Sequence, residues 1–194
     1  MQMPFKGLTL LDYAINASLV ISNIAIKKSD KAGLATFQDK VNTFLPASRV
    51  NNQIASILQV LYNQKTSYRE SDFSALYSVI RKRVTQRSLL LVFTNFETLF
   101  GLQRQLSYLQ NLSKRHLVVV IFFENTELKS LIEDTPVTTE GIYQKAVAEK
   151  FSYEKRLIVQ ELRKHGIQSI LTSPEKLTIN TINKYLELKA RNMI

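Results

Sequence analysis

The segments SLLLVF, at Ser88–Phe93, and LVVVIFF, at Leu117–Phe123, are continuous apolar runs from which the architecture of this chain follows. Both are rich in leucine or β-branched residues, as is typical of strands covered on both faces and hence of parallel strands in a layered sheet. Leucines at helical spacing between them predict a helix from about Glu97 to Arg115. Strand, helix and strand form a crossover unit, so the sequence predicts an α/β fold.

The first third of the chain predicts a helix and a hairpin. Thr9 and Asp12 have the spacing of a capping box, which opens a helix that runs to about Lys28. Its apolar residues extend most of the way round, so we expect both sides to be covered. The segments Ala32–Phe37 and Val41–Leu45 read as the two strands of a hairpin, and we expect Pro46 to end the second strand.

The remaining segments predict helices and one short strand. One apolar helix face is predicted at Ile54, Ile57, Leu58, Leu61 and Tyr62, and the following helix has a cap at Ser71 or Asp72. Further predicted elements are a short helix at Glu127–Glu133, a long helix at Thr139–Lys164 stopped by Gly166, a strand at Ile167–Leu171 and a closing helix at Ile179–Arg191.

Composition excludes several classes of protein. The chain has 194 residues, 45% of them hydrophobic, which is enough for one domain with a real core. It has no cysteine, so neither a disulfide framework nor a thiolate zinc site can form. Polar residues interrupt the longest apolar stretch, Leu10 to Ile26, and we therefore expect a buried helix rather than a membrane anchor. As given, the chain is expected to be soluble and cytoplasmic.

The formal charge of +10 is compatible with an acidic protein, a nucleic acid or an anionic membrane face as partner. The densest basic cluster is Arg81, Lys82, Arg83 and Arg87. It closes a predicted helix, where cations favour the negative end of the helix dipole. No aromatic stacking motif accompanies it, so helix-end charge is the simpler interpretation.

Catalysis has little support in the sequence. Only two histidines are present, His116 and His165, and the latter precedes the glycine that stops a helix. No glycine-rich phosphate loop or nucleophile elbow is found. We therefore expect a protein that is not an enzyme and carries no cofactor.

Several phrases, in this order, resemble one bacterial family, the domain of unknown function fifty-eight. They are LLDYAINASLVISNIAIKKSDKAGLATF, ESDFSAL, RSLLLVFTNF, KRHLVVVIFF and INKYLELKAR, and the resemblance covers essentially the whole chain. It implies a von Willebrand factor A-like fold: a mostly parallel sheet with one antiparallel edge strand, flanked by helices.

That resemblance also implies the position of a metal-ion-dependent adhesion site at the carboxyl ends of the strands. The matching positions are Ser71, beside Glu70 and Asp72, and Thr94–Asn95, where Asn95 replaces the family's aspartate. The family's first ligand loop is missing. Mg²⁺ prefers several oxygen ligands in octahedral array, so we expect this degenerate site to bind no metal.

The family's first strand, normally central in the sheet, would lie upstream of Met1. We therefore expect residues 1–194 to be a single domain that is a fragment of a longer protein, which could be membrane-anchored through an upstream segment. The two strands that flank the missing one should either close up or leave an unpaired edge that invites pairing with another chain.

The leading functional hypothesis is a protein-interaction module. The resemblance implies that this chain acts with a MoxR-type AAA+ ATPase in the assembly or maturation of other proteins. Open α/β folds usually bind partners at the carboxyl edge of the sheet. The candidate residues there are Glu70, Ser71, Asp72, Thr94, Asn95, Glu97, Glu124 and Asn125. The alternative is a basic surface that binds nucleic acid or an anionic membrane face.

Overall fold

The computed structural model describes residues 4–50, 52–64, 71–126, 132 and 138–194. In chain order the strands and helices are β1 (Pro4–Phe5), β2 (Leu8–Thr9), α1 (Leu10–Lys27), β3 (Ala32–Phe37), β4 (Val41–Ser48), α2 (Gln53–Tyr62), α3 (Phe73–Arg83), β5 (Leu89–Phe93), α4 (Leu99–Ser113), β6 (Leu117–Phe123), α5 (Thr139–Lys164), β7 (Gln168–Thr172) and α6 (Leu177–Ala190). The α/β prediction is confirmed. Most of the short helix predicted at 127–133 lies outside the described residues.

A parallel three-stranded sheet forms the centre of the molecule, in the order β5-β6-β7. Its middle strand is covered on both faces, since Val118 to Phe123 are almost fully buried. On one face Val118, Val120 and Phe122 pack with α4 and α5, and on the other Val119, Ile121 and Phe123 pack with α1 and α6. This confirms the prediction drawn from the continuous apolar run.

The β3–β4 hairpin is antiparallel and forms a second sheet of its own. The family resemblance implied one mostly parallel sheet with an antiparallel edge strand. Instead, among the described residues, the hairpin pairs with no strand of the parallel sheet. It contacts the start of α3, where the Asp72 amide donates to the Gln38 carbonyl and the Phe37 and Phe73 rings meet edge to face at 5.2 Å. Gln53 adds hydrogen bonds from Nε2 to the carbonyl oxygens of Ala32 and Pro46, at 2.8 and 2.9 Å.

Two details of this region correct the sequence prediction. Strand β4 runs through Pro46 to Ser48 rather than ending there. Proline lacks a backbone donor, which is tolerated because β4 is an edge strand that pairs only with β3 among the described residues. On α2 the buried stripe is Gln53, Ile57 and Leu61, whereas Leu58 and Tyr62 are exposed.

The predicted helix ends are largely confirmed. The Thr9 hydroxyl accepts a hydrogen bond from the Asp12 amide, and the Asp12 carboxylate accepts one from the Thr9 amide, which completes the capping box. At the end of α5, Gly166 adopts φ +70°, and the Ile167 amide donates to the Leu162 carbonyl. This left-handed glycine stop lets the chain turn directly into β7.

Candidate interaction surface at the carboxyl end of the parallel sheet

The loops that follow β5 and β6 lie at one edge of the sheet, as predicted. The Thr94 amide donates to the Ile121 carbonyl at 2.9 Å, and the Glu124 amide donates to the Thr172 carbonyl at 3.0 Å. These bonds continue the parallel ladder by one residue beyond each strand. Thr94 and Asn95 therefore leave the same sheet edge as Glu124 and Asn125.

Ser71 and Asp72 reach this edge from the start of α3. The Phe73 and Phe96 rings stack at 5.6 Å, which holds the start of α3 against the loop that follows β5. The Asp72 carboxylate caps α3, accepting from the amides of Ser74 at 2.7 Å and Ala75 at 3.2 Å. Glu70, the remaining candidate of this group, lies outside the described residues.

The sequence interpretation missed Lys155, which organises the loop after β5 from the middle of α5. Its Nζ donates to Asn95 Oδ1 at 2.9 Å and to the Phe96 carbonyl at 2.6 Å, and it lies 5.6 Å from the Phe122 ring centroid. Burial lowers the pKa of Lys155 to about 8, although the Glu97 carboxylate acts in the opposite direction. The sequence did contain a signal for this buried lysine. Lys155 falls at helical spacing between the apolar residues Phe151 and Ile158, on one face of α5.

A second contact joins the same two regions. Glu154 Oε2 accepts a hydrogen bond of 2.8 Å from the Leu99 amide, in the first turn of α4. A carboxylate is favoured there because the first amides of a helix lack partners and carry the positive end of the dipole. Lys155 and Glu154 together fix α5 against the loop from Asn95 to Leu99.

Of the two degenerate site positions, Ser71 and Asn95, the structure shows a protein partner for the Asn95 side chain: its Oδ1 accepts from Lys155. Asp72, beside Ser71, is used as a helix cap. In the described ranges, no three or more His, Asp or Glu side chains lie close enough together to hold a metal ion. A cation would also have to compete with the Lys155 ammonium group beside Asn95.

An exposed aromatic patch lies beside this edge, and sequence reasoning did not find it. Phe100 on α4 is 70% exposed, and Tyr143 and Phe151 on α5 are 71% and 40% exposed. Phe100 and Phe151 line one shallow groove with Val147. Tyr143, Val147 and Phe151 recur every four residues and so share a helix face. We call Phe100, Tyr143, Val147 and Phe151 the aromatic patch.

A known protein family matches this chain. The family profile described as "Protein of unknown function DUF58" matches residues 9–150, nearly three quarters of the chain. The chain belongs to the DUF58 family. The resemblance to this family is thereby confirmed over residues 9–150. A comparison with curated proteins gives no match.

Three residues of the basic cluster of this DUF58 chain, Arg81, Lys82 and Arg83, occupy the last turn of α3, as the helix-end interpretation predicted, and Arg87 follows the helix. The Arg83 guanidinium lies 5.3 Å from the Phe44 ring centroid, on the side that faces the hairpin. Residues two apart on a helix point to roughly opposite sides, so Arg81 faces away from Arg83. The cluster, including exposed Lys82 and Arg87, is therefore spread around the helix end.

The two histidines of the DUF58 chain lie at the opposite edge of the sheet, before β6 and β7. His116 is buried, and burial together with nearby Arg115 lowers its pKa. His165 follows α5, with Nε2 at 3.3 Å from Glu161 Oε1. Neither histidine is near the candidate residues at the carboxyl edge.

Helix α1 of the DUF58 chain is the one described helix long and apolar enough to cross a membrane by length and composition. In the structure, Ala14 and Ala17 pack with the sheet and α6, while Ile15 and Leu19 pack with α2 and the hairpin. Both sides of α1 thus contact protein, as its sequence predicted.

Proposed function

We propose that this DUF58 chain is a non-catalytic protein-interaction module that binds a partner through the carboxyl edge of its sheet and the adjoining aromatic patch. The aromatic patch is the observation that supports this most strongly. Isolated exposed apolar residues are ordinary, but Phe100 and Phe151 line one groove, and Tyr143 lies on the same helix face as Phe151. Such a grouping of exposed aromatic side chains supports a binding surface. Aromatic anchors of this kind contribute much of the affinity at protein interfaces.

The surface is also held in a defined geometry. Lys155 and Glu154 connect α5 to the loop after β5 and to the first turn of α4. Phe100 lies in that turn, directly after Leu99, and Phe151 lies one helical turn before Lys155. A surface ordered before binding loses less conformational entropy on association, which favours a stable complex.

The same proposal includes a specific fold type and a specific partner. A parallel sheet with helices on both faces supports a von Willebrand factor A-like fold, although the hairpin is detached from it. The family resemblance supports a MoxR-type AAA+ ATPase as partner, in assembly or maturation of other proteins. The proposed location is the cytoplasm, with any membrane attachment made through a segment outside this chain. No metal or other cofactor is required for this role.

Site-specific photo-crosslinking tests the proposed surface. A benzoylphenylalanine is introduced in place of Tyr143, in the patch, or in place of Tyr62, which is 85% exposed on α2. Each variant is illuminated with the MoxR-type ATPase of the same bacterium. We expect a crosslink from position 143 and none from position 62. Equal crosslinking from both positions, or from neither, would contradict the proposed surface.

A further inference from the structure

Five helices of the described chain end at the same edge of the parallel sheet, opposite the proposed interaction surface. Helices α3, α4 and α5 lead into β5, β6 and β7 respectively, and these strands are parallel and aligned with one another. The ends of the three helices therefore meet at the edge where the strands begin. Helix α6 follows β7 and runs back across the sheet, and Lys189 Nζ near its end donates to the Lys28 carbonyl after α1. Helix α1 therefore ends at this edge as well.

Exposed cations are concentrated at this edge. From Phe73 to Phe123 the only acidic residue in the sequence is Glu97, which lies in the loop at the opposite edge of the sheet. The exposed cations at or just after the ends of α3, α4 and α5 are Arg81, Lys82, Arg87, Lys114, Arg115 and Arg163. We call these residues the basic edge. Lys27 and Lys28, exposed at the end of α1, extend the positive charge to the other face of the sheet.

The acidic side chains near the same helix ends are already paired. Among the described residues these pairs are Asp30 with Lys189, Glu161 with Lys164 and Glu187 with Lys184, at N–O distances of 2.5, 3.0 and 3.0 Å. The basic edge therefore keeps its positive charge. Stabilisation of helix ends explains part of the pattern, but Arg87 lies in the connection to β5, where the dipole of α3 has little effect.

We propose that the basic edge lies against the anionic surface of a lipid membrane. The cations are spread over the ends of helices on both faces of the sheet, and each helix is about 10–12 Å across. They form a broad end face rather than a narrow track. A membrane surface contacts such a face all at once, and each lysine or arginine held near anionic lipids strengthens binding by roughly fivefold. The contact is peripheral and electrostatic, so it requires no inserted segment and adds to any attachment made elsewhere.

The distribution of aromatic residues argues against a nucleic acid as the occupant. A single strand is bound along a groove in which its bases stack on aromatic side chains. The exposed aromatic side chains of the described chain lie on α2, at the start of α4 and in α5 well before its end, rather than at the basic edge. The basic edge therefore offers charge without stacking surfaces, which suits lipid headgroups better than bases.

This placement has a consequence for the orientation of the chain. Helix α4 starts at the edge opposite the basic edge, and Phe100 of the aromatic patch lies in its first turn. A chain that rests on a membrane through the basic edge therefore presents the aromatic patch away from the lipid. The two surfaces are different, so the membrane contact and the proposed partner site can each fail without the other.

Binding to lipid vesicles measures the contact directly. The vesicles contain phosphatidylcholine with about 30% phosphatidylserine, or phosphatidylcholine alone, in about 0.1 M salt. We expect the chain to cosediment with the anionic vesicles and not with the neutral ones. We also expect release as the salt approaches about 1 M, because salt screens the attraction between exposed charges.

A matched pair of double variants locates the contact. Lys82→Gln/Lys114→Gln removes two charges from the basic edge, and Lys40→Gln/Lys176→Gln removes two from the opposite edge. All four lysines are exposed. Lys40 lies in the hairpin turn beside the start of α3, and Lys176 follows β7. We expect the first variant to bind anionic vesicles roughly tenfold or more weakly, and the second to bind nearly as the wild type does.

A fluorescent label reports the orientation. The chain has no cysteine, so a single introduced cysteine can carry an environment-sensitive dye. Thr85 is exposed between α3 and β5, beside the basic edge, and Tyr143 is exposed in the aromatic patch. We expect anionic vesicles to shift the emission of a dye at Thr85→Cys to shorter wavelength and to leave that of a dye at Tyr143→Cys unchanged.

The proposal fails on any of three results. The first is an absence of binding to the phosphatidylserine vesicles. The second is equal weakening by the two double variants or equal shifts of the two dyes, because net charge rather than the basic edge would then decide binding. The third is tighter binding to a DNA duplex of about 20 base pairs than to the vesicles at the same salt, lost in Lys82→Gln/Lys114→Gln, which would assign the edge to nucleic acid.

Discussion

Lys155 Nζ and Asn95 Oδ1 lie 2.9 Å apart, although 60 residues separate them in the chain. This hydrogen bond joins the middle of α5 to the loop after the first strand of the parallel sheet. It assigns Asn95 a protein partner at the position where the family resemblance implied a metal ligand. The bond also orders the loop that leads to Phe100, so it contributes to the proposed interaction surface.

The first prediction concerns the titration of Lys155. Burial lowers the pKa of Lys155 to about 8 in the folded chain, from an ordinary value of 10.5. Below pH 8 both the folded and the unfolded states hold the proton. Between pH 8 and 10.5 the unfolded state holds more protons, so this group makes folding more favourable as pH rises. We expect the ¹³Cε resonance of Lys155 to titrate with a midpoint near 8.

A Lys155→Met variant provides the assignment and the control for that experiment, since it lacks the resonance. The free energy of unfolding in urea should rise more for the wild type than for Lys155→Met between pH 7.5 and 9.5, values chosen from the pKa of about 8. A midpoint above pH 10, or a parallel pH dependence of the two proteins, would show that Lys155 is not buried as described.

The second prediction concerns Asp30, which connects the turn after α1 to α6. Its carboxylate accepts hydrogen bonds from the Tyr185 hydroxyl and from Lys189 Nζ, the latter at 2.5 Å. Burial acts to raise the pKa of Asp30, but the bonds from Lys189 and Tyr185 outweigh it and the pKa is lowered. The stabilisation is therefore present above the unfolded pKa and is lost as pH falls through the folded pKa.

We expect Asp30→Asn to reduce the free energy of unfolding at pH 7 by about 1 kcal/mol, a modest value because the Asp30 side chain is 39% exposed. The difference from the wild type should shrink when urea unfolding is repeated in acid, where the wild-type carboxylate is protonated. Glu187→Gln is the matched control, since Glu187 pairs with Lys184 and Arg191 on the surface of α6. A control loss as large as that of Asp30→Asn would contradict this account.

The third prediction compares two glycines: at Gly33 an added Cβ atom would clash with backbone atoms, and at Gly101 it would not. A Cβ atom on Gly33 would lie 2.7 Å from the Ala47 amide nitrogen and 2.9 Å from the Leu45 carbonyl oxygen, both backbone atoms of β4. Gly33→Ala should therefore destabilise the chain by about 1–3 kcal/mol. Gly101 lies within α4, where the nearest atom to an added Cβ is 3.4 Å away. Gly101→Ala should stabilise by about 0.5–1 kcal/mol. Thermal unfolding of both variants checks the opposite signs.

Local sequence signals predicted much of the fold because they are carried by neighbouring residues. The apolar run at Leu117–Phe123 predicted a buried parallel strand, and Gly166 predicted the end of α5. The prediction that Pro46 ends β4 was wrong, because the effect of a proline on a strand depends on whether the strand edge beside it is paired. Leu58 and Tyr62 were predicted on the apolar face of α2 but are exposed. Hydrophobicity alone cannot tell which part of a broad apolar stripe meets the core.

The candidate site was predicted only in part, since much of it depends on contacts between distant segments. The sequence placed Thr94, Asn95, Glu124 and Asn125 at one edge, because the carboxyl ends of parallel strands coincide. It could not reveal that Lys155 would reach Asn95. Nor could it show that β3 and β5, which each pair on one side only among the described residues, line one largely apolar cavity.

The most direct test of the proposed function is the affinity of the chain for the MoxR-type AAA+ ATPase, measured by isothermal titration calorimetry. The comparison is between the wild type, the patch variant Phe100→Ser/Tyr143→Ser and the control variant Tyr62→Ser. All three changed aromatic side chains are exposed, so none should affect folding appreciably. We predict that the wild type and Tyr62→Ser bind alike and that the patch variant binds roughly a hundredfold more weakly. Equal affinity of all three proteins, or no binding by the wild type, would contradict the proposal.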